Sequence, residues 1–140
     1  MWKELKILRK EYLELGLSEA IDYEKFSMIS IVYHSTRIEG CSLTENDTRL
    51  LLENDITAKG KPLADHMMVK DHYAAFMFLK EIAKQKQKIS IDLIKKIAGL
   101  VMKNTGGLVN TITGTFDTSL GDLRKVQVYV DKKYFPDYSK

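Results

Sequence analysis

Ser35 and Glu39 stand four residues apart, on one face of a helical stretch that ends at Gly40. A carboxylate in the last turn of a helix meets the partial negative charge of that terminus, which costs about 0.3–1 kcal/mol at an exposed site. Glu39 therefore calls for a cation opposite it. Two readings of the residues stay open. Glu39 is either a solvated acid before a helix-ending Gly40, paired loosely with Arg37 or a lysine, or a carboxylate aimed inward with Ser35, Met28 and Ile31 on its face.

The other chemical candidates are weaker. His66 and His72 are six apart, on different faces of one helix, and His34 belongs to another, so the three histidines make no metal site. His72 lies on an apolar stripe and reads as a hydrogen-bonded core residue. Gly106-Gly107 lacks the rest of a phosphate-cradling loop and reads as a turn. Cys41 is the single cysteine, which rules out an internal disulfide and fits a reducing, cytoplasmic setting.

The chain of 140 residues carries 22 Lys and Arg against 19 Asp and Glu, a net charge of +3. Only four of the basic residues are arginine, and the lysines from Lys80 to Lys103 have no stacking aromatics interleaved in the manner of a nucleic-acid surface. A solvated helical face is the better reading. No apolar run approaches the roughly 20 residues that span a bilayer, and the charged start is no signal peptide. Neither nucleic acid nor membrane is expected as a partner.

The elements that must position these residues are mostly helices. Leu5, Leu8, Tyr12 and Leu15 mark a first helix over Trp2–Leu15, ended by Gly16. Asp22 is an N-cap for a second, running to Ile38 or Glu39. Its two apolar stripes, Met28/Ile31/Ser35/Ile38 and Ile29/Val32/Tyr33/Thr36, predict burial on more than one side. Thr44 caps a short helix to Glu53, and Lys59-Gly60-Lys61-Pro62 is a loop. The longest periodic segment, 63–85, turns Met68, His72, Ala75, Phe76, Leu79 and Ile82 to the core. Ser90 caps a last helix to Lys103 with Ile94, Ile97, Ala98 and Val101 inward. Beyond Gly107 the period drops to two: Lys125, Gln127 and Tyr129 alternate with Val126, Val128 and Val130. That predicts a strand, with Ile112–Phe116 as its partner.

The segment Ser35-Thr36-Arg37-Ile38-Glu39-Gly40 resembles the Ser/Thr-x-x-x-Glu-Gly/Asn inhibitory motif of the Fic family, enzymes that transfer AMP from ATP to hydroxyl side chains. Gly121-Asp122-Leu123-Arg124 followed by Val128 is similar to the family's flap pattern, and the helix carrying His72-Tyr73-Ala74-Ala75 resembles its next core helix. The resemblance covers about 22–130 and implies a mainly α fold: a helical Fic-like bundle with a C-terminal β-hairpin flap. It divides one domain into N-terminal and inhibitory helices (1–53), core helices (54–106), and flap with tail (107–140). It implies an inhibitory role for Ser35, Glu39 and Gly40, and target docking at Gly121, Leu123, Arg124, Val126 and Val128.

The family's catalytic motif, His-x-Phe-x-Asp/Glu-Gly-Asn-Gly-Arg-x-x-Arg, does not occur in these residues. No catalytic or metal-binding residue is therefore expected on this chain. ATP and Mg2+ are implied for a complete adenylyltransferase and not for this chain alone. By resemblance, Glu39 pairs with the second arginine of that motif and keeps it from the ATP γ-phosphate. The implied function is the autoinhibitory N-terminal part of an AMP transferase. Its partners are a target protein at the flap and the missing C-terminal part or a separate catalytic Fic chain, with self-association as a further expectation. The alternatives are an antitoxin-like regulator acting in trans and a helical interaction module without nucleotide chemistry. AMP, another nucleotide and phosphocholine all remain open as the transferred group.

Overall fold

The computed structural model describes residues 2–16 and 22–136. Five helices form among them: α1 (Trp2–Glu14), α2 (Tyr23–Ile38), α3 (Glu45–Asn54), α4 (Leu63–Lys84) and α5 (Ile91–Val101). A hairpin of β1 (Leu108–Thr111) and β2 (Gly114–Asp117) follows, then a single 3-10 turn (Thr118–Leu120) and a second small hairpin of β3 (Tyr129–Val130) and β4 (Lys133–Tyr134). The fold is mainly helical with small antiparallel sheets. Asp137 and the tail behind it lie outside the described residues. Among the described residues no helix is long and apolar enough to cross a membrane.

Three helix starts are set by side chains that accept an otherwise orphaned backbone N–H. Asp22 accepts from Lys25, Thr44 from Asp47, and Ser90 from Leu93. At α3 the Asp47 carboxylate reaches back to the Thr44 N–H, completing a capping box. The core lies where α2, α3 and α4 meet: Val32, Cys41, Leu43, Leu51 and Val69 are each at most 2% exposed. Cys41 is thus a small core residue.

Of the two apolar stripes on α2, only one is covered. Ile29, Val32 and Thr36 are buried, whereas Ile31 is 47% and Ile38 84% exposed. The expectation of burial on several sides is met only in part, since Met28 and Ser35 on the second stripe are half-buried while Ile31 and Ile38 are exposed. On α4 the inward residues are His66, Val69, Asp71, Ala75 and Ile82, while Leu79 is exposed and His72 half-buried. On α5 Leu93 is the buried position, and Ile94 and Ala98 face solvent. All of α1 is exposed except a half-buried Tyr12, whose ring meets Tyr23 edge-on at 5.9 Å.

The strand pairing also differs from the sequence expectation. β2 pairs with β1, Val109 opposite Phe116 and Thr111 opposite Gly114, and residues 125–128 join no ladder. Gly114, at φ 132, and the two residues before it close a tight turn that brings 108–111 back onto 114–117 before 125–130 is reached. Alternation in 125–130 therefore does not mark a half-buried strand: Val126, Val128 and Val130 are all exposed.

Candidate functional site

Glu39 is the last residue of the α2 turn system, with φ −79° and ψ 2°. Gly40 follows in the left-handed region at φ 94. The Gly40 N–H donates to the Arg37 carbonyl (3.1 Å) and the Cys41 N–H to the Thr36 carbonyl (3.0 Å). This is a Schellman closure, which leaves the helix directly after Glu39 and favours glycine at the next position. The Glu-Gly pair thus has a backbone reason: Gly40 stops the helix, and Glu39 is left standing at its rim.

The loop behind Glu39 is tied down on every side. Arg37 turns back to donate from Nη1 to the Cys41 carbonyl at 3.0 Å. Ser42 donates to Asp65 Oδ2 from its N–H at 2.8 Å and from its hydroxyl at 2.5 Å. Lys61 donates from Nζ to the Ser42 carbonyl at 2.9 Å, and the Cys41 thiol lies 3.7 Å from the Asp65 carbonyl. Hydrogen bonds from the Ser42 hydroxyl, then from its backbone N–H, hold the Asp65 carboxyl below the usual carboxylate range. Asp65 sits in the first turn of α4, where helix polarity favours the same charge. The Thr44 N–H and then its hydroxyl lower Asp47 in the same way.

The Glu39 side chain itself is exposed and joins no ion pair among the described residues. Arg37, the cation nearest in sequence, is occupied by Cys41. Ser35 is half-buried. It lines a shallow groove of about 440 Å³ with Phe26, Ser27, Ser30, Ile31, His34 and Ile38, on the uncovered stripe that leads to Glu39. Of the two readings left open for Glu39, its exposure among the described residues fits the solvated acid rather than the inward-aimed carboxylate.

Around the hairpin, each proposed docking residue has a definite place. Gly121 is buried at φ 73, and a methyl group there would lie 1.8 Å from the Lys95 carbonyl oxygen. Gly99 of α5 also lies close to the Leu120 backbone, with 3.0 Å between an added Cβ and the Leu120 carbonyl carbon. Two glycines thus let the 3-10 turn lie directly on α5. Thr118 clips the base of the first hairpin, its hydroxyl accepting from the Gly107 N–H at 2.9 Å. Leu123, Val126 and Val128 are exposed. Arg124 donates to the carbonyls of Val126 and Pro136, both at 2.9 Å, so its guanidinium braces the second hairpin. Thr113 donates to the Lys125 carbonyl and Lys125 to that of Thr115, fastening the two hairpins to each other.

Buried polar residues escaped the sequence reading, His66 and Asp71 among them. His66 is 3% exposed; its Nε2 accepts the Ala58 N–H at 2.9 Å, which requires the proton on Nδ1, donated to the Pro62 carbonyl at 2.8 Å. Asp71 is equally buried and accepts from both the N–H and the side-chain amide of Asn104, at 2.7 and 2.6 Å. The first ring holds the 55–62 loop on α4, and the second carboxylate ties α4 to the turn after α5. Among the described residues no three His, Cys, Asp or Glu converge on a metal position.

The architecture is a mainly helical fold with a small β appendage and an exposed carboxylate, Glu39, at a helix end closed by Gly40. The chain is similar to the protein adenylyltransferase fic-1 of Caenorhabditis briggsae, 31% identical over 135 residues, which cover 94% of this chain and 25% of that protein. The corresponding protein of Caenorhabditis elegans is 30% identical over the same shares. The Fic protein adenylyltransferase of Culex quinquefasciatus is 29% identical over 119 residues, 84% of this chain and 21% of its own length. The chain is therefore a distant relative of Fic protein adenylyltransferases, and it spans about a quarter of the length of these relatives. No protein-family model and no solved structure matches it.

Proposed function

We propose that this chain is the regulatory and target-docking portion of a Fic-type protein adenylyltransferase, with Glu39 as the brake. In this reading the catalytic motif lies outside these residues, on a segment that supplies the arginine opposite Glu39, together with the ATP and Mg2+ sites. The observation that carries it is the exposed Glu39 carboxylate, held by a rigid helix end beside an uncovered apolar groove and lacking any cation among the described residues. A carboxylate at a helix C-terminus gains most from an arginine, whose fork matches it in two parallel hydrogen bonds.

The total accessible surface of the chain exceeds that of a compact monomer. It is 10855 Å² for 16.1 kDa, against about 7,400 Å² for a compact monomer of that mass. Leu123, Val126 and Val128, exposed along a segment that joins no ladder, supply the docking surface for a target strand, recognised through main-chain hydrogen bonds.

The test is transfer of label from α-32P-ATP to protein. The isolated chain is expected to transfer none, and to regulate transfer when combined with a catalytic Fic segment that carries the His-x-Phe and Gly-Asn-Gly-Arg elements. Transfer by the isolated chain, or no effect on such a segment, would overturn the proposal.

A further inference from the structure

We infer that Asp65 is the positioning residue of the Glu39 brake, an inference that rests on the regulatory reading above. Among the described residues Glu39 makes no side-chain hydrogen bond or ion pair to aim it, so its direction is inherited from the backbone between Thr36 and Leu43. That backbone is fixed at two points. Its helix side is closed by the Gly40 and Cys41 hydrogen bonds to Arg37 and Thr36. Its outgoing side is fixed by Asp65, which receives both donors of Ser42 on a single oxygen and presents its own carbonyl to the Cys41 thiol.

The anchor is well chosen for rigidity. Asp65 belongs to α4, the longest helix, two residues from its start at Leu63, and its neighbour His66 is buried and bonded at both ring nitrogens. Lys61, just before α4, holds the Ser42 carbonyl from the other side at 2.9 Å. Ser42 is thereby held by its N–H, its hydroxyl and its carbonyl, all through residues 61–65. Loss of the Asp65 carboxylate removes two of these three ties and leaves the Schellman closure with Lys61 on the Ser42 carbonyl and Arg37 on the Cys41 carbonyl beside it. In a constrained site a displacement of about 1 Å can cost roughly a hundredfold in an interaction that depends on alignment. The brake is therefore sensitive to a residue 26 positions further along the chain that touches neither nucleotide nor arginine.

The inference sorts the polar residues of α4 into two kinds. Asp65 acts through Glu39, whereas Asp71, two turns along and bonded to Asn104, holds the far end of α5 and has no route to the brake. Replacement of Asp71 is thus a control for general loss of stability. Asn at position 65 keeps an amide oxygen able to accept both Ser42 donors, whereas alanine keeps neither.

The experiment measures AMP transfer by a catalytic Fic segment combined with this chain as wild type, Glu39→Gly, Asp65→Ala, Asp65→Asn, Asp71→Ala and the double variant Glu39→Gly/Asp65→Ala. Circular dichroism melting of each chain verifies that it folds. Asp65→Ala is expected to release about tenfold or more activity, Asp65→Asn to remain braked, and Asp71→Ala to remain braked despite a lowered melting temperature. The double variant is expected to be no more active than Glu39→Gly alone, the non-additivity of two residues acting through one contact. If Glu39→Gly itself releases nothing, the regulatory reading fails. If Glu39→Gly releases activity and Asp65→Ala does not, or the two effects multiply, the positioning role of Asp65 is wrong and the regulatory reading survives. Should Asp65→Ala not fold, Ser42→Ala takes its place. It removes the hydroxyl tie alone and is expected to release part of the activity; full retention of the brake would count against the inference.

Discussion

Replacing Gly121 by alanine tests how the hairpin region is seated, because the structure sets the size of the effect. The residue sits at φ 73, where a side chain costs about 1–2 kcal/mol. Its new methyl group would lie 1.8 Å from the Lys95 carbonyl oxygen and 2.8 Å from the Gly99 nitrogen, both backbone atoms of α5 that cannot rotate away. Relief requires the 3-10 turn to lift off the helix, a form of overpacking that costs roughly 1–3 kcal/mol. The total expected for Gly121→Ala is about 2–5 kcal/mol. Gly40→Ala is the internal control: it has a similar backbone requirement at φ 94, but open space around the added methyl, so about 1–2 kcal/mol. Urea unfolding followed by far-ultraviolet circular dichroism gives both values from the midpoints and slopes. Equal losses for the two variants would refute the packing of the turn on α5, and with it the account of how the hairpins are placed.

Further outcomes follow from single residues. The Thr48 hydroxyl is fully buried without a hydrogen-bond partner, so Thr48→Val is expected to stabilise the chain by about 1 kcal/mol in the same urea titration. His66→Ala leaves the Ala58 N–H unpaired and empties a buried ring site, for a loss of about 2–4 kcal/mol by thermal melting. Asp65 and Asp47 both titrate below the ordinary 3.8 when folded. Their contribution to stability is therefore complete above that value and lost as pH falls through the lowered folded values. Acid titration of Asp65→Asn is expected to show a shallower loss below about pH 4 than wild type. The uncovered stripe of α2, with Phe26 61% exposed, is expected to enhance the fluorescence of a hydrophobic dye, and Ile31→Ser/Ile38→Ser to reduce it.

The helices were legible in the sequence because their starts are chemical. Asp22, Thr44 and Ser90 each announce an N-terminus by residue type, and each makes the expected capping bond. What the pattern could not decide was which of two equally apolar stripes on α2 faces inward, since that depends on where α3 and α4 dock. His66 and Asp71 were missed for a related reason: they are polar residues buried with hydrogen-bond partners outside their own helix pattern, the Ala58 and Pro62 backbone and Asn104, and no periodicity marks such partners. The 125–130 segment misled in the opposite sense, because its alternation has no sheet to back it. Of the candidate site, Glu39-Gly40 was legible as a motif and its Schellman closure follows from glycine chemistry. The Asp65 tie was not, since nothing in the spacing links residue 42 to residue 65.

The measurement that bears most directly on the central claim is AMP transfer by a catalytic Fic segment in the presence of this chain with Glu39 intact or replaced by glycine. The account predicts weak transfer with the wild-type chain and a release of at least about tenfold with Glu39→Gly, equivalent to ~1.4 kcal/mol of lost inhibition. Equal transfer with both chains would show that Glu39 is an ordinary surface acid and would contradict the account.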